Sequence, residues 1–163
     1  MAELICDTSV LTALHEVNLL RILPALGSRV IVPAAVEQEL CQGRKAGYDL
    51  PDVSSFDWML VCLPKMVPEL PNAAQLGFGE SSVLWLALET PSRVAILDDG
   101  VARAVASLLR IPFTGTLGLL VDAKRHGLIA AVAPVLDELA RHAFNMSQRV
   151  REQVLNAAGE LTP

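Results

Sequence analysis

Basic charge is scarce in this chain. Thirteen Lys and Arg stand against eighteen Asp and Glu, giving a net charge of −5 and a pI near 5.1. That balance argues against broad electrostatic adhesion to nucleic acid and leaves room only for a local basic rim around an acidic pocket. Aromatic residues make up 4% of the sequence against 52% hydrophobic, so the core is aliphatic. No apolar run reaches the ~18 residues of a membrane span; the richest, Leu128 to Leu136, is interrupted by Pro134. The first residues include Glu3 and no basic cluster, so they do not read as a signal peptide. Cys6, Cys41 and Cys62 are an odd set without CxxC spacing. Cys6 and Cys62 sit in apolar strand-like runs, which reads as reduced core thiols of a cytoplasmic protein.

What is present is a strong alternation of short apolar runs and helical stripes. Leu4-Ile5-Cys6 runs straight into Asp7-Thr8-Ser9, as a buried parallel strand runs into its carboxyl-end loop. Val10 to Leu23 reads as a helix stopped by Pro24 and Gly27, and Arg29 to Val32 as a second strand. Ala34 to Cys41 reads as a helix ended by Gly43, followed by a polar connector over 44–55. Trp58 to Leu63 is a third strand, and Pro64, Pro68 and Pro71 mark a loop leading to Gly77-Phe78-Gly79-Glu80. Ser81 to Glu89 is a helix, Val94 to Leu97 a fourth strand ending in Asp98-Asp99-Gly100, and Val101 to Leu109 the next helix. Ile111 to Thr114 is a fifth strand, placed at an edge because Pro112 lacks a ladder donor. Helical patterns over Thr116–His126, Ala133–His142 and Ser147–Ala158, the last with Ser147 as N-cap, complete the chain. There is no repeat, low-complexity stretch or linker, so the expectation is one domain over 1–163, with the C-terminal helices of about 133–158 packed on it. The alternation predicts a mostly parallel sheet with helices on both faces.

Acids follow the strands or open the helices of this pattern: Asp7, Glu37 and Glu39, Glu80, and Asp98 with Asp99. All can project toward the carboxyl edge of a parallel sheet. Carboxylates that converge repel one another unless a cation lies between them, and hard oxygen donors suit Mg²⁺ or Mn²⁺. Such a site can activate water and neutralise a phosphate during in-line attack. Each acid has a plainer role open to it. Asp7 can cap the first helix, Glu80 can answer the dipole of its own helix, and Asp98 or Asp99 can form a turn with Gly100. Helical spacing does not choose between Glu37 and Glu39, which flank the Val36/Leu40 stripe symmetrically.

The stretches ICDTSVL at 5–11, VIVPAAVEQEL at 30–40, LGFGESSVLWLALE at 76–89, AILDDGVAR at 95–103 and GTLGLLVDAKRHGLI at 115–129 resemble the PIN-domain family, the nuclease fold of VapC-type toxins. Within it they resemble a prokaryotic branch with a Gly-Glu third acid. The resemblance implies a three-layer α/β/α sandwich with a five-stranded sheet of order 3-2-1-4-5. It also implies a Mg²⁺- or Mn²⁺-dependent endoribonuclease, the toxin of a toxin–antitoxin pair. It assigns metal or catalytic roles to Asp7, Glu39, Glu80 and Asp99, with Asp98 beside them and Thr8 and Ser9 in support. Glu80 stands where many toxins carry aspartate. Arg103, one helical turn after Asp99, and Arg44 and Lys45 in the connector are the candidates for RNA phosphate. The expected partners are an RNA substrate, an antitoxin protein and a second copy of the chain. A non-catalytic PIN-fold interaction module is the competing class. An aspartyl phosphotransferase is disfavoured because Ser9 stands where a second aspartate would be needed.

Overall fold

The computed structural model describes residues 1–161 and builds five strands. They are β1 (Glu3–Cys6), β2 (Arg29–Pro33), β3 (Met59–Cys62), β4 (Arg93–Ile96) and β5 (Phe113–Thr114). All neighbours run parallel, in the order β3-β2-β1-β4-β5. Strand faces alternate as the pleat requires. Leu4, Cys6, Val30, Val32 and Ile96 enter one core, and Ile5, Ile31, Ala95 and Leu97 the other.

The helices sort onto those two faces. The first core takes α1 (Thr8–Glu16), α2 (Ile22–Leu26), α3 (Ala34–Lys45), α6 (Thr116–Arg125) and α7 (Ala133–Arg141) through Leu11, Leu14, Ile22, Leu40, Leu120, Leu136 and Leu139. The second core takes α4 (Phe78–Leu88) and α5 (Gly100–Leu108) through Val83, Leu84, Leu86, Val105 and Ala106. The chain is thus an α/β/α sandwich with β1 as the central strand of its sheet. The Cys6 thiol is fully buried, and burial first, then the neighbouring Asp7 charge, pushes its pKa up. Among the described residues no helix is long and apolar enough to cross a membrane.

Four boundaries differ from the periodicity. The expected helix from Val10 to Leu23 is two helices, because Asn18 takes a left-handed conformation (φ 57°) and turns the chain. Pro24 lies inside the short α2, where a first-turn proline loses no bond. Gly43 does not end α3; the helix continues to Lys45, and a Cβ at Gly43 would stand 2.3 Å from Leu50 Cδ1, so packing explains this glycine. Helix α4 starts at Phe78, which moves Gly79 and Glu80 from the loop into the first helical turn. Pro112 does flank an edge strand, and its carbonyl accepts from the Ala95 N–H at 2.9 Å.

The last helix, α8 (Gln148–Ala157), is capped by Ser147 and packs through Val154 and Leu155. The chain then turns so that the Glu160 carboxylate caps a different helix. It accepts from the Val132 and Ala133 N–H groups at 2.5 and 2.9 Å, at the start of α7, and from Lys124 Nζ at 2.8 Å. No side chain of α7 itself caps that end. Removing the carboxylate leaves two helix-start donors without their partner and the half-buried Lys124 ammonium with the Ala158 carbonyl but no counter-charge. Glu160→Ala is therefore expected to cost about 2 kcal/mol and lower Tm by roughly 4–8 °C in a thermal melt followed by circular dichroism. An unchanged Tm would show that the clamp carries no stability.

Candidate functional site

Strand β1 delivers Asp7 to the carboxyl edge of the sheet. Its N–H donates to the Ile96 carbonyl at 3.3 Å, extending the ladder with β4 by one residue, and its own carbonyl accepts from Leu11 to open α1. Asp7 thus occupies the N-cap position of α1, yet its carboxylate makes no cap hydrogen bond. The plainer role open to this residue is not the one it plays. Only 4% of Asp7 is exposed, and its Oδ2 accepts from the Ser9 hydroxyl at 3.2 Å.

The carboxylate faces a cavity of about 340 Å³ lined by Asp7, Thr8, Ser9, Glu39, Gly77, Gly79 and Glu80. Three acids from three separate elements meet around it, and no Lys, Arg or His lines it. Helix α3 brings Glu39, whose Oε2 accepts from the Thr8 hydroxyl. Glu37 is not among the lining residues, so the ambiguity left by the helical spacing resolves to Glu39. Helix α4 brings Glu80 at its third position. One Glu80 oxygen accepts from the Gly77 N–H at 2.7 Å, the returning half of a capping box whose other half a glycine cannot supply. Gly79 is required by its neighbour rather than by its own backbone. A Cβ there would lie 2.8 and 3.1 Å from the two Glu39 oxygens. Neither the Thr8 bond nor this glycine seat has a signal in the sequence, because each joins residues of different elements.

Burial is the chief cause that pushes Asp7 up to about 6. The Thr8 N–H opposes it, Glu80 raises it further, the Ser9 hydroxyl lowers it, and Glu39 adds a smaller upward push. The other acids of the sequence pattern lie elsewhere. Asp99 caps α5 by accepting from the Ala102 N–H at 2.8 Å. Asp98 accepts from the Thr116 N–H at 2.8 Å and its hydroxyl at 2.6 Å, capping α6. Neither lines the cavity of Asp7; Asp98 instead lines a separate cavity of about 640 Å³ with Arg103, Thr114 and Gly115.

The basic candidates are also dispersed. Arg103 lies over the Phe113 ring, 5.2 Å from its centroid. Arg44 donates to the Pro51 carbonyl at 2.6 Å and pairs with Asp52 at 3.4 Å, so it pins the connector. Lys45 is exposed at the end of α3.

The donor chemistry of Asp7, Glu39 and Glu80 fits a hard divalent cation, for which carboxylate oxygens are the preferred ligands. The arrangement is not a closed cage. Among the described residues no three acidic, imidazole or thiol side chains are gathered tightly enough to enclose an ion. Thr8 and the Gly77 N–H hold two of the three acids, so a cation binds by competing with those bonds.

The burial of Asp7 has a measurable consequence without any cation. Its folded pKa of about 6 exceeds the ordinary 3.8, so the folded chain binds this proton more tightly than the unfolded one. The associated stability is complete below pH 4 and lost as pH rises through 6. In the presence of a chelator, Asp7→Asn is expected to be more stable than the parent at pH 7.5, by on the order of 3 kcal/mol. The gap should close at pH 4. Urea denaturation of parent and variant at the two pH values measures it, and a variant no more stable than the parent at pH 7.5 overturns the account.

No curated protein matches the chain. The sequence over residues 3–160, nearly its full length, matches the profile of a family described as PIN domain. The order of the strands, the acid at the end of the central one and this match agree: the chain belongs to the PIN-domain family.

Proposed function

We propose that this chain is a Mg²⁺- or Mn²⁺-dependent endoribonuclease, a cytoplasmic toxin of a toxin–antitoxin pair. Membership of the PIN-domain family, a nuclease-type fold, supports hydrolysis of phosphodiesters. The observation that carries the reading is Asp7: a carboxylate buried at the end of the central strand, not spent on capping its helix, and opening into a cavity with two further acids. A charge kept in that position without a basic partner is explained by a cation that it serves to bind.

In this reading Asp7, Glu39 and Glu80 hold the cation. Ser9 orients Asp7 through its hydroxyl, and Thr8 orients Glu39. A bound divalent cation supplies the positive charge that polarises a phosphoryl oxygen and acidifies a nearby water. The three acids alone would repel the phosphate of the substrate, and the charge of a bound cation would offset that repulsion. Arg103 and Lys45, both exposed and outside the cavity, would meet the RNA backbone only away from the acids, and Arg44 holds the connector in shape. Asp98 and Asp99 lie outside the cavity and serve as helix caps.

One observation favours the alternative, a non-catalytic PIN-fold interaction module. All five acids are already hydrogen-bonded inside the protein, two of them as helix caps. Cation binding separates the two readings. Titration of the chain with Mn²⁺ in a calorimeter is expected to give a heat that Asp7→Asn abolishes, and the same substitution is expected to reduce cleavage of a single-stranded RNA by at least about 100-fold. Absence of any heat at millimolar Mn²⁺ favours the module, and cleavage that survives Asp7→Asn removes the proposed site.

A further inference from the structure

A second cavity, of about 460 Å³, is lined by His15, Asn18, Leu20, Arg21, Phe56 and Trp58. Helix α1 starts at the carboxyl end of β1 and returns along the sheet, and Trp58 immediately precedes β3, so this cavity lies at the amino edge. Two segments build it. After α1, Asn18 takes φ 57°, its N–H donates to the His15 carbonyl at 3.0 Å, and the Leu19 N–H donates to Leu14 at 2.8 Å. That turn sets His15 and Asn18 beside Leu20 and Arg21 at the head of α2. The chain before β3 supplies the two rings, held by a turn in which the Met59 N–H donates to the Phe56 carbonyl at 3.2 Å. His15 stands about 10 Å along α1 from Thr8, so the acidic cavity and this one occupy opposite ends of the helix.

Its walls are aromatic and its polar groups are mostly uncommitted donors. Phe56 and Trp58 are half-buried against the first core. Their ring centroids lie 5.1 Å apart with the planes inclined at 52°, so the rings do not stack face to face on one another. Arg21 is exposed and has no acidic partner among the described residues. The Trp85 indole N–H donates to the Pro68 carbonyl, whereas that of Trp58 has no acceptor among the described residues. The Asn18 amide is likewise uncommitted. His15 pairs through Nε2 with Asp49 at 3.0 Å, and Asp49 lines a neighbouring cavity rather than this one. No carboxylate lines the aromatic cavity, and Asp57, between the two rings in sequence, is not part of its wall. In a chain of net charge −5, an unpaired guanidinium in a cavity clear of acids is a specific charge pattern.

We propose that this cavity binds a small planar aromatic molecule carrying an anionic group, no larger than a purine mononucleotide. The ring of the ligand lies against Phe56 and Trp58, and its phosphate or carboxylate accepts from Arg21, with the Asn18 amide and the Trp58 N–H as further donors. Three considerations select this chemistry. Small-molecule sites enclose about 300–1,000 Å³ and combine apolar walls with a few converging polar groups, which this cavity does. Inclined aromatic walls favour a flat π-system, which meets one ring edge-on and the other offset. Finally, the free polar groups are donors, and an anion rewards them more than a neutral acceptor. A purely apolar occupant would strip water from those donors without replacing it. A cation would meet Arg21 with no carboxylate to hold it.

The aromatic cavity shares no residue with the acidic one. Its occupancy therefore does not depend on a cation at Asp7 or on any cleavage of RNA.

The chain has two tryptophans, so the indole N–H signals in a proton–nitrogen NMR spectrum of the full chain read the site directly. Trp58→Phe and Trp85→Phe assign them. With a chelator present, adenosine 5′-monophosphate and indole-3-acetate supply the phosphate and carboxylate forms of the ligand. Titration with either is expected to shift the Trp58 signal saturably at millimolar concentration or below and to leave the Trp85 signal in place. A response to one anion alone identifies which acidic group the site takes. Adenosine, which lacks the phosphate, and ribose 5-phosphate, which lacks the ring, are each expected to bind at least about 10-fold more weakly than the mononucleotide. Arg21→Ala is expected to weaken the anions that bind by a similar factor. Arg149→Ala, which removes the same charge from an exposed position on α8, should have no effect, and neither should Asp7→Asn. Arg21 and Arg149 are both exposed, so circular dichroism should report folded variants. No saturable shift with either anion overturns the proposal, as does binding that survives Arg21→Ala or falls equally with Arg149→Ala. Half-molecules that bind as tightly as the mononucleotide overturn it too, as does a Trp58 signal that only an RNA oligonucleotide moves.

Discussion

Asp7 carries its carboxylate at the end of the central strand, where water reaches 4% of the residue. An ionised group in that position loses hydration that two hydrogen bonds only partly restore, and Glu39 and Glu80 add repulsion rather than relief. The surrounding structure bears this cost because the strand before it is anchored on both sides, to β2 and β4, and cannot move outward. The same anchoring determines what can gather around the carboxylate. Helix α3 follows β2 and helix α4 precedes β4, so the two neighbours of the central strand each contribute one acid to the cavity. A parallel sheet turns residues distant in sequence into a compact group because every strand ends on the same side.

The acids of this chain fall into two physical kinds. Asp98, Asp99 and Glu160 have backbone N–H groups in front of them, and each is a structural cap. Asp7 has a helix directly after it and leaves that helix uncapped by its side chain. Glu80 is intermediate, lining the cavity with the carboxylate that closes its own first turn. A count of acids at one edge of a sheet therefore overstates the charge that faces a ligand. What matters is how much of each carboxylate's hydrogen-bonding capacity the backbone has already taken.

The sheet order was legible because five motifs occur in sequence along nearly the whole chain, and because short apolar runs separated by helical stripes leave few topologies. Asp7 was legible for the same reason: three apolar residues ending in an acid mark a strand end. Other features depended on tertiary contacts that periodicity does not carry. The break at Asn18 is a single residue in a left-handed conformation within an otherwise continuous apolar stripe. Gly43 looked like a helix end and is a packing site for Leu50. Asp98 and Asp99 follow a strand as ligands would, but the N-termini of α6 and α5 hold them, and this depends on where those helices begin to within one residue. The Glu160 clamp joins positions nearly thirty residues apart and has no local signal.

Gly79 and Glu39 lie forty positions apart, yet neither can change freely while the other stays as it is. The place where any other residue would put its first side-chain carbon is filled by the end of the glutamate. A longer residue at 79 is sterically compatible only with a chain whose acid at 39 has already been shortened or has turned away. Shortening that acid first opens a gap beside the helix, which a methyl group at 79 would then fill. The order in which the two substitutions arise therefore decides whether the intermediate is crowded or merely loose. In genetic terms the pair is epistatic with a preferred direction, and a library that varies either position alone would score as intolerant a combination that the fold accepts.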